Sequence, residues 1–171
     1  TLRAQGPPDL TELAVASAAH LIALCDGAPE DEARSRVEDA LRDGSASRAY
    51  ERWIRAQGGD PSEEALPTSP VIRTVTADRT GYVGRLGALA VGIAAMRLGA
   101  GRVTKADHID HAVGIVCLKK RGHRVEAGEV LAEIHAQDEA AAKAAAADVL
   151  AAYDIVDEKP RTSDVILDTL T

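Results

Sequence analysis

The sequence predicts an α+β fold in two parts, and three observations carry that prediction. Residues 9–57 repeat apolar side chains at helical spacing, in runs closed by glycine or proline. Residues 71–86 and 113–135 instead hold short, largely β-branched runs bounded by glycine turns. Helical and extended segments of this second half follow no regular βαβ order, which suits α+β better than a parallel α/β repeat. No internal repeat is visible.

The first helix begins after Gly6-Pro7-Pro8. Asp9 is a good N-cap, and Glu12 three residues later completes an acidic variant of the capping box. Leu10, Leu13, Ala14, Ser17, Leu21, Leu24 and Cys25 keep helical spacing until Asp26-Gly27 stops the run. Pro29 suits the first position of a second helix, where Glu30, Asp31 and Glu32 complement the positive end of the dipole. Val37, Ala40 and Leu41 give that helix a narrow apolar stripe ahead of Gly44. A third helix spans about residues 45–57, with Ala49, Tyr50, Trp53 and Ile54 expected to face inward. Gly58-Gly59-Asp60-Pro61 ends it.

Pro67 and Pro70 bracket a linker, after which residues 71–77 alternate as a strand. Asp78-Arg79-Thr80-Gly81 reads as a turn and residues 82–86 as a second strand. Leu89, Ile93, Met96 and Leu98 mark a helix that ends at Gly99. Strands are predicted over 113–119 and 130–135, with Gly122 and Gly128 as turn residues between them. Residues 137–152 are so rich in alanine that helix propensity nearly decides the matter, and the tract 140–147 reads as helix. Two final short strands are expected over 153–156 and 164–167.

The chain has 171 residues, 46% hydrophobic and 27% charged, which fits one or two small domains. A chain of that size buries roughly 70% of its extended surface, enough for a real core. With no Phe, one Trp and three Tyr, that core must be built from Ala, Val, Leu and Ile. Small side chains each remove little area from water, at roughly 25 cal/mol per Å², so close packing counts for more than any single anchor. The formal net charge of −7 disfavours nucleic acid as a partner, and the aromatic shortage removes stacking platforms for single strands. Cys25 and Cys117 lie far apart with no CxxC spacing, which favours two buried, reduced thiols in a cytoplasmic protein over a disulfide. No uninterrupted apolar run approaches about 18 residues, so no membrane span is expected, and the polar, Pro-broken start is unlike a signal peptide. Opening at Thr1 rather than Met suggests a fragment, a processed product or a trimmed chain.

Several clusters invite a chemical reading. Asp107-His108-Ile109-Asp110-His111 offers four candidate metal ligands in five residues, but no partner ligands are evident elsewhere, and turn-capping aspartates are the simpler reading. Gly99-Ala100-Gly101-Arg102, followed by Lys105, could cradle a phosphate. An anion loop belongs at a helix start, however, and this one follows a helix, where glycine makes a C-cap. Lys119-Lys120-Arg121-Gly122-His123-Arg124 is the strongest basic cluster, placed at a strand end and turn where solvated charge is usual. His20 sits on or beside the apolar stripe of the first helix, and His135 ends a strand with no acid neighbour evident. There is no Gly-x-Ser-x-Gly, CxxC or Walker loop. These residues nominate no catalytic, cofactor-binding or metal-binding side chain.

Three stretches carry a family resemblance. Residues 81–135 combine a helix closed by Gly-x-Gly, an acidic loop, and a strand pair patterned V-G-I-V…K-K-x-G-x-x-V-x-x-G-E-x-L-A-x-I-H. Gly6-Pro7-Pro8-Asp9-Leu10-Thr11-Glu12-Leu13 and Ala56-Gln57-Gly58-Gly59-Asp60-Pro61 supply two further motifs in the same order. Together they resemble the C-terminal portion of the thymidine phosphorylase, or pyrimidine-nucleoside phosphorylase, family over nearly the whole chain. His111 departs from the pattern, standing where the family has proline.

The resemblance implies that residues 1–66 are closing helices of the family's large α/β domain, and that 68–171 form its α/β hammerhead-like C-terminal domain. It implies a parent enzyme, a pentosyltransferase of nucleoside salvage, that converts thymidine and phosphate to thymine and 2-deoxyribose 1-phosphate. Inorganic phosphate would be co-substrate, no cofactor is implied, and the parent would be a homodimer paired through a helical lobe. The family holds phosphate on a K-x-S-T-G-G-V-G-D loop and the base on separate Arg, Ser, Lys and His residues. None of those segments occurs in these 171 residues, so no catalytic residue carries over and the isolated chain is expected to be inactive. Base preference, thymidine against uridine, is not written in this portion.

Two other readings remain. The G-x-x-V-x-x-G-E-x-L-A-x-I hairpin is also similar to biotinyl and lipoyl carrier domains, but these present a lysine at a hairpin tip, and Lys143 lies in the Ala-rich helix. An interaction module that has lost the enzyme function is the third.

Overall fold

The computed structural model describes residues 1–102 and 104–169. These divide into two compact units, one of residues 1–65 with 163–169 and one of residues 66–162.

The first unit holds α1 (Pro8–Asp26), α2 (Glu30–Arg42) and α3 (Ser45–Ala56). Pro7 is the N-cap of α1, two residues earlier than expected, and Pro29 is the N-cap of α2 rather than its first helical residue; neither supplies a side-chain cap. Asp9 therefore lies inside the first turn of α1 instead of capping it. There it accepts from the Leu10 N–H at 2.9 Å and favours the positive end of the helix dipole. Gly27 ends α1 at φ 66°, the left-handed turn that glycine adopts without steric cost. Val15, Ala16 and Ala19 are buried on α1, α1 packs on α2, and Ala33 of α2 is fully buried.

The outer faces depart from expectation. Trp53 and Tyr50 of α3 are 61% and 41% exposed, although the helical spacing turned them inward. Leu10, Leu13, Leu21 and Leu24 are also exposed. Helical period identifies an apolar stripe but not the partner that covers it. In addition, α1 is by length and composition long and apolar enough to cross a bilayer, although Asp9, Glu12 and Asp26 interrupt its apolar run.

The second unit holds β1 (Val71–Thr76), β2 (Gly81–Leu86), α4 (Ala88–Ala95), β3 (Gly114–Cys117), β4 (Arg124–Val125), β5 (Val130–Ala136), α5 (Glu139–Ala152) and β6 (Tyr153–Val156). Its strands make two three-stranded antiparallel sheets, ordered β1-β5-β3 and β4-β2-β6. The mixture of helices with antiparallel sheets is the α+β class that the sequence predicts. The short strand β4 was not foreseen, because two residues carry no alternation to read; it pairs Gly81 with Val125 and Tyr82 with Arg124. No strand forms over 164–167, where the backbone is irregular. A β-branched run becomes a strand only beside a neighbour that takes its ladder hydrogen bonds.

Core packing explains the rest. Asp138 caps α5 by accepting from the Ala141 N–H at 2.7 Å, the N-cap geometry of an aspartate ahead of an alanine-rich run. Ala142, Ala145, Val149 and Ala152 then form one buried stripe of α5, which packs on β1 and β5. Small alanines let the helix approach closely, and Val83, Val125, Leu131 and Ile134 fill the space with no exposed area. α4 continues through a π-helical turn, Met96–Ala100, that breaks at Gly99 (φ 107°).

Candidate functional site

Asp107, Asp110 and Lys119, from the clusters singled out in the sequence, make contacts that hold local structure. Asp107 accepts from the Thr104 N–H at 2.8 Å and the Thr104 hydroxyl at 2.7 Å. Asp110 accepts from the Ala112 N–H at 2.9 Å and from Gln137 Nε2 at 2.7 Å. The Ala112 N–H first, and the Gln137 amide second, hold the Asp110 carboxyl below the usual carboxylate range. The Asp110 N–H donates to the Gly99 carbonyl at 2.9 Å, so this loop is laced to the end of α4. These are the hydrogen bonds of turns. Among the described residues no group of three or more His, Cys, Asp or Glu side chains is placed to hold a metal ion. Gly99 lies within the π-helical turn that ends α4 and Gly101 is its C-cap, whereas an anion loop belongs at a helix start.

The basic cluster forms the turn between β3 and β4. Lys119 is three-quarters covered and ion-paired to Glu129, not solvated as a turn lysine would be. Glu129 also accepts from the Glu126 N–H at 2.9 Å, and its carboxyl is held below the usual range by the Lys119 hydrogen bond first, then by that backbone donor. The pair fixes the hairpin that runs to β5. His20 Nε2 stands 3.7 Å from Glu30 Oε1, half-exposed. His135 does have an acid neighbour after all: Glu133 Oε2 lies 3.8 Å from its Nε2, on the same face of β5. The period-two geometry of a strand puts positions 133 and 135 side by side. Lys143 is exposed on α5, with no hairpin tip to carry a swinging arm.

One node was missed in the sequence. Tyr153, the first residue of β6, is buried, and its hydroxyl bonds the carbonyls of Lys119 at 2.9 Å and Leu131 at 3.0 Å. The Leu131 carbonyl also accepts from the Leu118 and Lys119 N–H groups at 2.9 and 3.0 Å. Burial foremost, then neighbouring Cys117, pushes the Tyr153 phenol well above its ordinary range. Burial likewise raises the Cys117 thiol. A single tyrosine closing an apolar helix, in a chain without phenylalanine, was the available signal. Cys25 is exposed and Cys117 only partly covered, so the expectation of two buried thiols fails for both; α1 turns position 25 outward.

These sites tie loops to sheets, and among them no nucleophile, base and anion-binding group converge. Residues 82–156, from β2 through β6, match the family model described as the pyrimidine nucleoside phosphorylase C-terminal domain. The chain is 42% identical over 144 residues to the pyrimidine-nucleoside phosphorylase of Geobacillus stearothermophilus, covering 81% of this chain and 33% of the relative. It is 42% identical over 140 residues to the enzyme of the same name from Staphylococcus aureus strain USA300, covering 79% of this chain and 32% of the relative. The chain thus spans about a third of the length of the relatives it matches. Over these spans the chain belongs with the C-terminal portion of the pyrimidine-nucleoside phosphorylase family.

Proposed function

We propose that this chain is the supporting C-terminal portion of an enzyme that phosphorolyses pyrimidine nucleosides, with thymidine as a substrate. In that reaction a phosphate oxygen forms a bond to the anomeric carbon as the glycosidic C–N bond breaks. The base leaves with the electron pair, and thymine and 2-deoxyribose 1-phosphate result. Such chemistry rests on in-line positioning and on cations at the developing charge. The chain's own part is to stiffen the lobe that carries those groups, through the two sheets pinned by α5 and the Tyr153 node. A rigid lobe is what hinge closure over a substrate requires.

The observation that carries the reading is the coverage: high identity over four-fifths of this chain, yet over a third of each relative. The phosphate-loop pattern K-x-S-T-G-G-V-G-D does not occur in these 171 residues. The parent is proposed to act in the cytoplasm as a homodimer, with inorganic phosphate as co-substrate and no cofactor. Incubating the 171-residue chain with thymidine and phosphate, and following thymine by chromatography, tests the division of labour. No thymine above the buffer blank is expected from this chain, and turnover is expected from the parent. Turnover by the chain alone would falsify the proposal.

A further inference from the structure

The polypeptide visits the helical unit twice. It leaves after Ala65, builds the sheet unit, and comes back as residues 163–169, which belong to the compact unit of the three helices. The returning segment contains no helix or strand, so no backbone ladder holds it in place. Every residue from Arg161 to Thr169 is exposed except Ile166. Ile166 lines a groove of α1 with Leu13, Ala16 and Leu24. Its neighbours Val165 and Leu167 are 39% and 81% exposed, so a single side chain anchors the segment.

The polar groups of the groove do not strengthen that anchor. Glu30, the first residue of α2, and Asp168 of the returning segment both border it, and like charges oppose close approach. His20 Nε2 stands 3.7 Å from Glu30 Oε1, a pair within the helices themselves. The Asp168 carboxylate instead accepts from the neighbouring Thr169 N–H, as Glu32 donates to Asp31 at the start of α2. An attachment made by one half-buried isoleucine favours the seated position by on the order of tenfold, not by the far larger factor of a core contact. Weakly attached segments of this kind open locally while the units they cover stay folded.

We propose that residues 163–169 form a strap on the helical unit, seated on α1 through Ile166 and able to lift away from it. Seating covers the middle of α1 around Leu13 and Ala16, and lifting opens the groove to water. This device goes beyond the function proposed above and does not depend on it. The test is hydrogen exchange by mass spectrometry on the 171-residue chain, comparing the parent with Ile166→Asp and Ile166→Leu.

Ile166→Asp should accelerate exchange over residues 13–24 by roughly tenfold and leave α5 unchanged within about twofold. Ile166→Leu keeps an apolar side chain of equal size and should hold both regions at the parent rates. Unaltered exchange over 13–24 in Ile166→Asp overturns the strap. Equal acceleration of α5 does so as well, since the substitution would then weaken the whole chain rather than lift one segment. Exchange over 13–24 in the parent that quickens on tenfold dilution also overturns it, because the segment would then be seated on a second copy.

Discussion

At the scale of single residues, Tyr153 concentrates the most structure in the fewest atoms. Its hydroxyl serves the carbonyls of Lys119 and Leu131, which join the basic turn to β5. Tyr153→Phe leaves both without that donor and should cost about 1–2 kcal/mol in urea unfolding. The phenol also predicts a pH dependence. Its proton is held more tightly in the folded chain than in the unfolded one, so the contribution is fully present below the ordinary tyrosine value near 10. Stability should then fall as pH climbs above 10, and the Phe variant should lose that part of the alkaline slope. Thiol accessibility supplies a second prediction: 5,5′-dithiobis(2-nitrobenzoate) should label Cys25 rapidly and Cys117 markedly more slowly until the chain is unfolded, since Cys117 is partly covered and its thiol is raised by burial. Equal labelling rates would contradict the packing around β3.

At the scale of elements, two positions decide whether a segment forms. Asp138→Ala removes the side-chain cap of α5 and should cost ~1 kcal/mol, seen as a melting shift of roughly 2–4 °C. Gly81 begins β2 where a Cβ would lie 2.6 Å from the Val156 carbonyl oxygen. Gly81→Ala must push β6 away from β2, so amide exchange over residues 153–156 should accelerate while α5 stays protected. Elements were legible in the sequence wherever one local signal sufficed: alanine content for α5, Gly27 for the end of α1, alternation for β1. The capping of α1 was misread because Pro7 and Pro8 start the helix before Asp9 can cap it. β4 and the tail over 164–167 were misread because strand formation depends on a pairing partner distant in sequence.

At the scale of the whole chain, the helical unit and the sheet unit differ in how completely they bury themselves. The sheet unit closes a continuous core around Val83, Val125, Leu131, Ile134 and Val149. Ile134→Ala should therefore cost about 2–5 kcal/mol by leaving a cavity that rigid neighbours cannot fill. The helical unit instead leaves Leu21, Leu24 and Trp53 more than half exposed. That imbalance fits a piece of a longer family polypeptide better than a carrier domain, for which Lys143 is in the wrong element.

The sequence alone determined helices α1 to α5, strands β1, β2, β3, β5 and β6, the mixed α+β class and the family resemblance, because each depends on neighbours within a turn or a hairpin along the chain. Only the tertiary structure decided which apolar faces are covered, that His135 sits beside Glu133, that Lys119 is ion-paired, and that Tyr153 locks two segments together. Burial and pairing are set by contacts between residues far apart in sequence, and periodicity describes one element at a time.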